Sequence, residues 1–184
     1  MQNKIKDIKL VWKRKTFSIM DLLLCVFFIV VCDFIGYLGT FFQKESLKVW
    51  YPMLTKSEFT PPSFVFSFVW GILYALIGFA TFLAFKKSGR DMKKSVLFIF
   101  FLQLGFNLLW NIFFFGMRAP LFAFIEILFL LIIVVNMMQL YRKVSLASYL
   151  LLLPYFFWLL FAIYLNFFIV VENLGWKGGY KKLG

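Results

Sequence analysis

The sequence predicts an all-α integral membrane protein, a bundle of five transmembrane helices around an internal ligand pocket. Three observations carry this. Hydrophobic residues make up 63% of the 184, including 28 phenylalanines, and the mean hydropathy is +0.89. A soluble fold of this size would leave much of that as exposed apolar patches. The apolar residues fall into five runs, each near the roughly 20 residues that cross a hydrocarbon core. Finally, three of those runs carry aromatic and amide side chains at helical spacing, where lipid-facing helices carry leucine.

Residues 1–17 form a basic segment in which Ile5, Ile8 and Trp12 recur among lysines, the pattern of a short helix lying on a membrane surface. A signal peptide is the competing reading. The apolar run that follows is too long for one, and no small-residue cleavage site ends it. The spans are expected at 18–41, 62–85, 95–115, 120–140 and 147–171, so that 18–171 is one transmembrane domain and 172–184 a basic, Gly-rich tail. Gln43–Pro61 is the one long connection. Pro61 and Pro62 suit the first turn of the second helix, where a missing N–H costs nothing. Lys86–Lys94, Gly116–Pro120 and Arg142–Ser145 read as shorter turns, and Pro154 is expected to kink the fifth span.

Trp70 and Tyr74 share a face of the second span, Gln103, Asn107 and Asn111 a face of the third, and Tyr155, Trp158, Ala162 and Asn166 a face of the fifth. Polar faces have no place against hydrocarbon, so these should turn toward one another. Trp50, Tyr51 and Trp176 suit an interfacial belt, whereas Trp70, Trp110 and Trp158 lie well inside their spans. Helix packing explains one such tryptophan; three, each with Asn, Tyr or a small neighbour, favour a cavity. Gly78 and Ala162 would leave room for a ligand, although a glycine in a membrane helix equally marks close helix contact. Among acids within the spans, Asp21 reads as interfacial. Asp33 and Glu126 read first as hydrogen-bonded glue between helices and second as proton carriers.

Histidine is absent, which removes the commonest general base and transition-metal ligand. Cys25 and Cys32 lie two turns apart on one helix, which excludes a mutual disulfide, and two thiols alone make no zinc site. No metal and no cofactor is therefore expected. The net charge of +12 belongs to loops beside anionic lipid, and no nucleic-acid motif accompanies it. With the N-terminus inside, 13 of the 20 basic residues lie on the inner side, which favours N-terminus in and C-terminus out. Val135–Tyr141–Lys143 and Leu174–Tyr180–Lys182 match a loose sterol pattern that arises easily at the end of any apolar helix.

Several motifs also occur in a familiar order. Trp50-Tyr51-x-x-Leu54, Phe59-Thr60-Pro61-Pro62, Val69-Trp70, Leu73-Tyr74 and Gly78-Phe79-Ala80 come first. Asn107-Leu108-Leu109-Trp110 follows, then Pro154-Tyr155, Trp158, Phe161-Ala162 and Leu165-Asn166. This series resembles the TspO/MBR family of translocator and tryptophan-rich sensory proteins over roughly residues 30–170. It departs at Ser57, where the family usually has proline, and at Asn111-Ile112 in place of Ser-Pro. The resemblance implies a pocket closed by the first loop as a lid, a homodimer, and binding of porphyrins or other hydrophobic molecules under stress, in the bacterial cytoplasmic membrane. Carried onto this sequence, the ligand-binding residues are Tyr51, Pro61, Trp70, Tyr74, Asn107, Trp110, Trp158 and Ala162. Two alternatives stand beside a binding protein. One is a light- and oxygen-dependent porphyrin-degrading enzyme, with Trp70 and Trp158 as its candidate catalytic residues. The other is a transporter of hydrophobic solutes, against which the lack of matching half-repeats counts.

Overall fold

A computed structural model describes residues 18–173. The expected surface helix of the N-terminal segment and the basic tail, with Trp176 and the second sterol-like pattern, lie outside the described residues. Five helices are long and apolar enough to cross a membrane. They are α1 (Ile19–Val49), α2 (Ser63–Lys87), α3 (Arg90–Asn111, continued by a π-turn over Ile112–Gly116), α4 (Pro120–Val144), and a fifth span split into α5 (Leu146–Leu151) and α6 (Leu153–Asn173). The split falls just before Pro154, whose missing N–H and ring interrupt the helical ladder there.

Helix ends follow local chemistry. Ser18 and Asp21 form a capping box at the start of α1, and Asp21 also pairs with Lys86 of α2 at 2.7 Å. Lys86 and Lys87 close α2, and Arg142 and Lys143 close α4, where cations complement the helix dipole. Pro62 is the N-cap of α2, with φ −56° and ψ 150°, so both prolines precede the helix instead of filling its first turn. Helix α1 runs eight residues past its expected end at residue 41. Its polar last turns pack against the α3–α4 connection instead of forming loop.

The helices form a ring in which α1 touches α2 and α3, α3 touches α4, and α4 touches the fifth span. Helix α2 meets the fifth span chiefly through α5 and only sparingly through α6. This leaves one end of the bundle solid and the other hollow. At the solid end Phe28, Phe82, Phe100, Val134, Met137 and Tyr141 are buried together, with the Phe28 and Phe100 rings edge to face at 5.3 Å. Lipid is as apolar as leucine, so this association depends on close packing and interhelical hydrogen bonds, not on the hydrophobic effect.

Two features at the solid end show that chemistry. Thr81 of α2 and Tyr141 of α4 share a hydrogen bond of 2.9 Å. Tyr141 is wholly buried, so the tyrosine of the first sterol-like pattern does not face lipid. Gly78 lies against the α1 backbone: a Cβ there would stand 2.7 Å from Ile29 Cα. Its role is close helix contact, and it leaves no space for a ligand. Cys25 and Cys32 are free, buried thiols of the same seam.

Candidate ligand-binding site

The hollow end holds a cavity of about 390 Å³, walled by α1, α2, α3, α4 and α6 and met by the loop between α1 and α2. All eight residues named from the sequence line it: Tyr51, Pro61, Trp70, Tyr74, Asn107, Trp110, Trp158 and Ala162. The rings form a nearly continuous surface. Trp70 leans on Tyr74 at 5.2 Å with a 34° tilt, and stands 6.3 Å from Tyr155. Trp110 stacks on Phe114 at 4.8 Å and 15°. Trp158 meets Phe66 edge to face at 5.6 Å, and its buried indole N–H has no partner among the described residues.

Behind this wall lies a polar layer that fixes the rings. The Asn107 Nδ2 group donates to the Gln103 Oε1 at 2.9 Å and to the Tyr155 hydroxyl at 2.7 Å, joining α3 to α6. Its amide donor is thus committed to the protein interior. A role for Asn107 in donating to a ligand edge is not what this geometry offers; its amide positions Tyr155 behind Trp70. Trp110 Nε1 donates to Asn166 Oδ1 at 3.1 Å, while Asn166 Nδ2 donates to the Pro120 carbonyl at 2.9 Å. One asparagine thereby ties α3, α4 and α6 at the level of the cavity. Glu126 is buried on α4 with neither oxygen hydrogen-bonded to a described residue, so its carboxyl is not glue of the expected kind.

The mouth is built from the loop and the ends of α1, α3 and α6. Trp50 is buried against Phe114, and Tyr51 packs on Phe114 and Phe115. Burial pushes the Tyr51 phenol above its ordinary pKa, so it stays a neutral hydrogen-bonding group at physiological pH. Lys56 folds back over the Tyr51 ring at 4.9 Å and donates to the Tyr51 carbonyl at 3.0 Å and the Leu54 carbonyl at 3.2 Å. The loop is clasped to α6 twice. Thr55 and Asn173 exchange hydrogen bonds of 2.8 and 3.0 Å, and the Ser57 hydroxyl lies 3.0 Å from that of Tyr164. Across the mouth, Ser46 donates to the Phe115 carbonyl exposed by the π-turn, and Gln43 donates to Asn111. Arg118, at φ 52°, reaches Glu45 at 3.3 Å.

Sequence reading missed the α1 wall. Asp33, Gly36, Thr40, Gln43 and Leu47 all line the cavity, spaced three, four, three and four apart. That spacing was the available signal. It went unread because glycine and threonine are common in membrane helices and carry no aromatic marker.

A polytopic helical membrane protein with an aromatic, internally hydrogen-bonded cavity at one end of the bundle is the class that fold and site define. The TspO/MBR family model matches residues 28–171, and the chain belongs to that family. It is 40% identical over 155 residues to the tryptophan-rich protein TspO of Archaeoglobus fulgidus, covering 84% of this chain and 99% of that protein. The TspO of Chlorobaculum tepidum is 38% identical over 160 residues, covering 85% and 98%. The human translocator protein is 34% identical over 148 residues, covering 79% and 86%.

Proposed function

We propose that this protein is a membrane sensor or receptor that binds flat hydrophobic molecules in its cavity, with a porphyrin as the first candidate and a role in tetrapyrrole handling under stress. The observation that carries this reading is the set of indole and phenol rings from α2, α3 and α6 around one space. Aromatic faces stack on a planar macrocycle, and the cavity falls at the lower end of the roughly 300–1,000 Å³ of small-molecule sites. The loop from Trp50 to Pro62 would act as the lid. We take the N-terminus to be cytoplasmic, in a bacterial inner membrane, and the assembly to be a homodimer. The family membership supports the sensor or binding role in its general form.

Protoporphyrin titration of the protein in nanodiscs, followed by tryptophan quenching, tests the reading. Trp158→Ala removes a stacking face worth about 0.5–1.5 kcal/mol beyond its contact area, so affinity should fall at least about tenfold. Phe98→Ala, on the outer surface of α3, should leave it within about twofold. Equal binding by the two variants would show that the aromatic wall is packing only.

A photochemical enzyme is the second reading, favoured by the contact between Trp70 and Tyr74. The same titration in light and darkness separates the two. A protein-dependent product that forms only in light and is lost in Trp70→Phe supports turnover; its absence leaves binding alone.

A further inference from the structure

One stretch of the cavity wall, where α1 faces α2, has a chemical character of its own. Near the solid end, backbone contact at Gly78 closes the seam. Farther along, Asp33 and Thr40 of α1 and Ser63, Ser67 and Gly71 of α2 line the cavity and are exposed. These polar and small residues edge one side of the cavity within the span. Asp33 stands at its inner end. It is the fifteenth residue of a 31-residue helix, about 21 Å from the start at 1.5 Å per residue. No ion-pair or hydrogen-bond partner for it is found among the described residues.

The charge of the lining is one-sided. Asp33 is an acid, and none of the other residues of the cavity wall is lysine, arginine or histidine. Near the mouth, Lys56 is engaged with loop carbonyls and Arg118 with Glu45 and Ser46, while Lys44 and Lys48, on the last turns of α1, are not among the lining residues. A carboxylate at this depth without a counter-charge is costly, and a cationic group brought to it removes that cost. An anionic group brought there would meet repulsion instead, so a porphyrin in this cavity would keep its propionates at the mouth, away from Asp33. Close by, Gly36 lets the Tyr74 ring lie against α1, since a Cβ would fall 2.5 Å from that ring. Tyr74 in turn backs Trp70, so the acid lies beside one aromatic pair of the cavity wall.

We propose that Asp33 makes this cavity select planar aromatic ligands that carry a cationic amine, with the ammonium at Asp33 on the α1 wall and the ring on Trp70 and Tyr74. The inference rests on the cavity being a ligand site, and it adds the charge class of the ligand. It also gives Asp33 a use that neither helix packing nor stacking on a macrocycle requires.

The test uses three probes of one shape: 9-(aminomethyl)anthracene, 9-methylanthracene and anthracene-9-carboxylate. Each is titrated against full-length protein in zwitterionic nanodiscs, with empty discs subtracted for partitioning. Wild type should bind the amine at least tenfold more tightly than the neutral probe, and the carboxylate most weakly. In Asp33→Asn the three affinities should converge to within about twofold, with the neutral probe unchanged. Asp33→Glu should keep the amine preference. If the amine shows no advantage in wild type, or keeps it in Asp33→Asn, the inference falls, while neutral-probe binding leaves the ligand site standing. If neither these probes nor protoporphyrin binds wild type, the ligand-site reading falls as well.

Discussion

The backbone contact at Gly78 offers the sharpest test of the bundle's architecture. Replacing Gly78 by alanine adds one methyl group, and that methyl would lie 2.7 Å from Ile29 Cα, 2.8 Å from Ile29 N and 2.9 Å from Phe28 C. Carbon atoms rest at about 3.5–4.0 Å, so α1 and α2 must separate by roughly 1 Å. The obstacle is backbone, which cannot rotate aside as a side chain can. Overpacking of this kind costs about 1–3 kcal/mol. For a chain of this length each kcal/mol shifts the melting temperature by about 2–4 °C, so Gly78→Ala should melt about 2–12 °C below wild type. Gly105 of α3 is the internal control, because a Cβ there meets nothing within 4 Å. Gly105→Ala should melt at or above wild type, since alanine favours a helix by about 1 kcal/mol. Differential scanning fluorimetry in nanodiscs reads both. A Gly78→Ala protein as stable as Gly105→Ala would refute the tight α1–α2 seam and the argument that glycine is there for contact.

Two further variants probe the polar layer and the loop. Asn107→Leu removes the donor to Tyr155 and Gln103, and interhelical bonds of this type average about 0.6 kcal/mol with a maximum near 1.7. Its melting temperature should fall by a few degrees even without ligand, whereas a change confined to ligand preference would contradict the assignment of its amide to the interior. Ser57→Ala deletes one of the two clasps between loop and α6. Stopped-flow dissociation of protoporphyrin should accelerate severalfold, and an unchanged off-rate would show that this clasp does not hold the mouth shut.

The stripes on α2, α3 and α6 were legible because tryptophan, tyrosine and asparagine are conspicuous in an apolar run, and their spacing alone assigns them to one face. The α1 stripe used the same spacing with glycine, threonine and glutamine, residues that also occur where membrane helices merely touch. Gly78 shows the related limit. A missing side chain marks either a space or a contact, and only the position of Ile29 decides between them. The length of α1 was underestimated for another reason. Gln43, Glu45 and Ser46 look like loop chemistry, yet they remain helical because Asn111, Arg118 and the Phe115 carbonyl supply their partners. Asn166 was read as one member of a face, while its tie to the Pro120 carbonyl depends on where α4 begins, which spacing within one helix does not reveal.

The widened turn at Ile112–Gly116 makes chain length itself a determinant of the mouth. Consecutive residues of a regular helix point well apart, yet Phe114 and Phe115 are both buried, with their rings 4.8 Å from each other. The turn accommodates one residue more than an α-helical turn does, as in the 2.7 Å bond from the Met117 N–H to the Ile112 carbonyl. Deleting a single codon in this stretch would restore ordinary helical pitch. The cost would be an aromatic ring at the entrance and the carbonyl that anchors Ser46. A one-residue gap in an alignment of relatives at this point therefore records a differently shaped entrance, where elsewhere in a polytopic protein the same gap would record only a shorter loop.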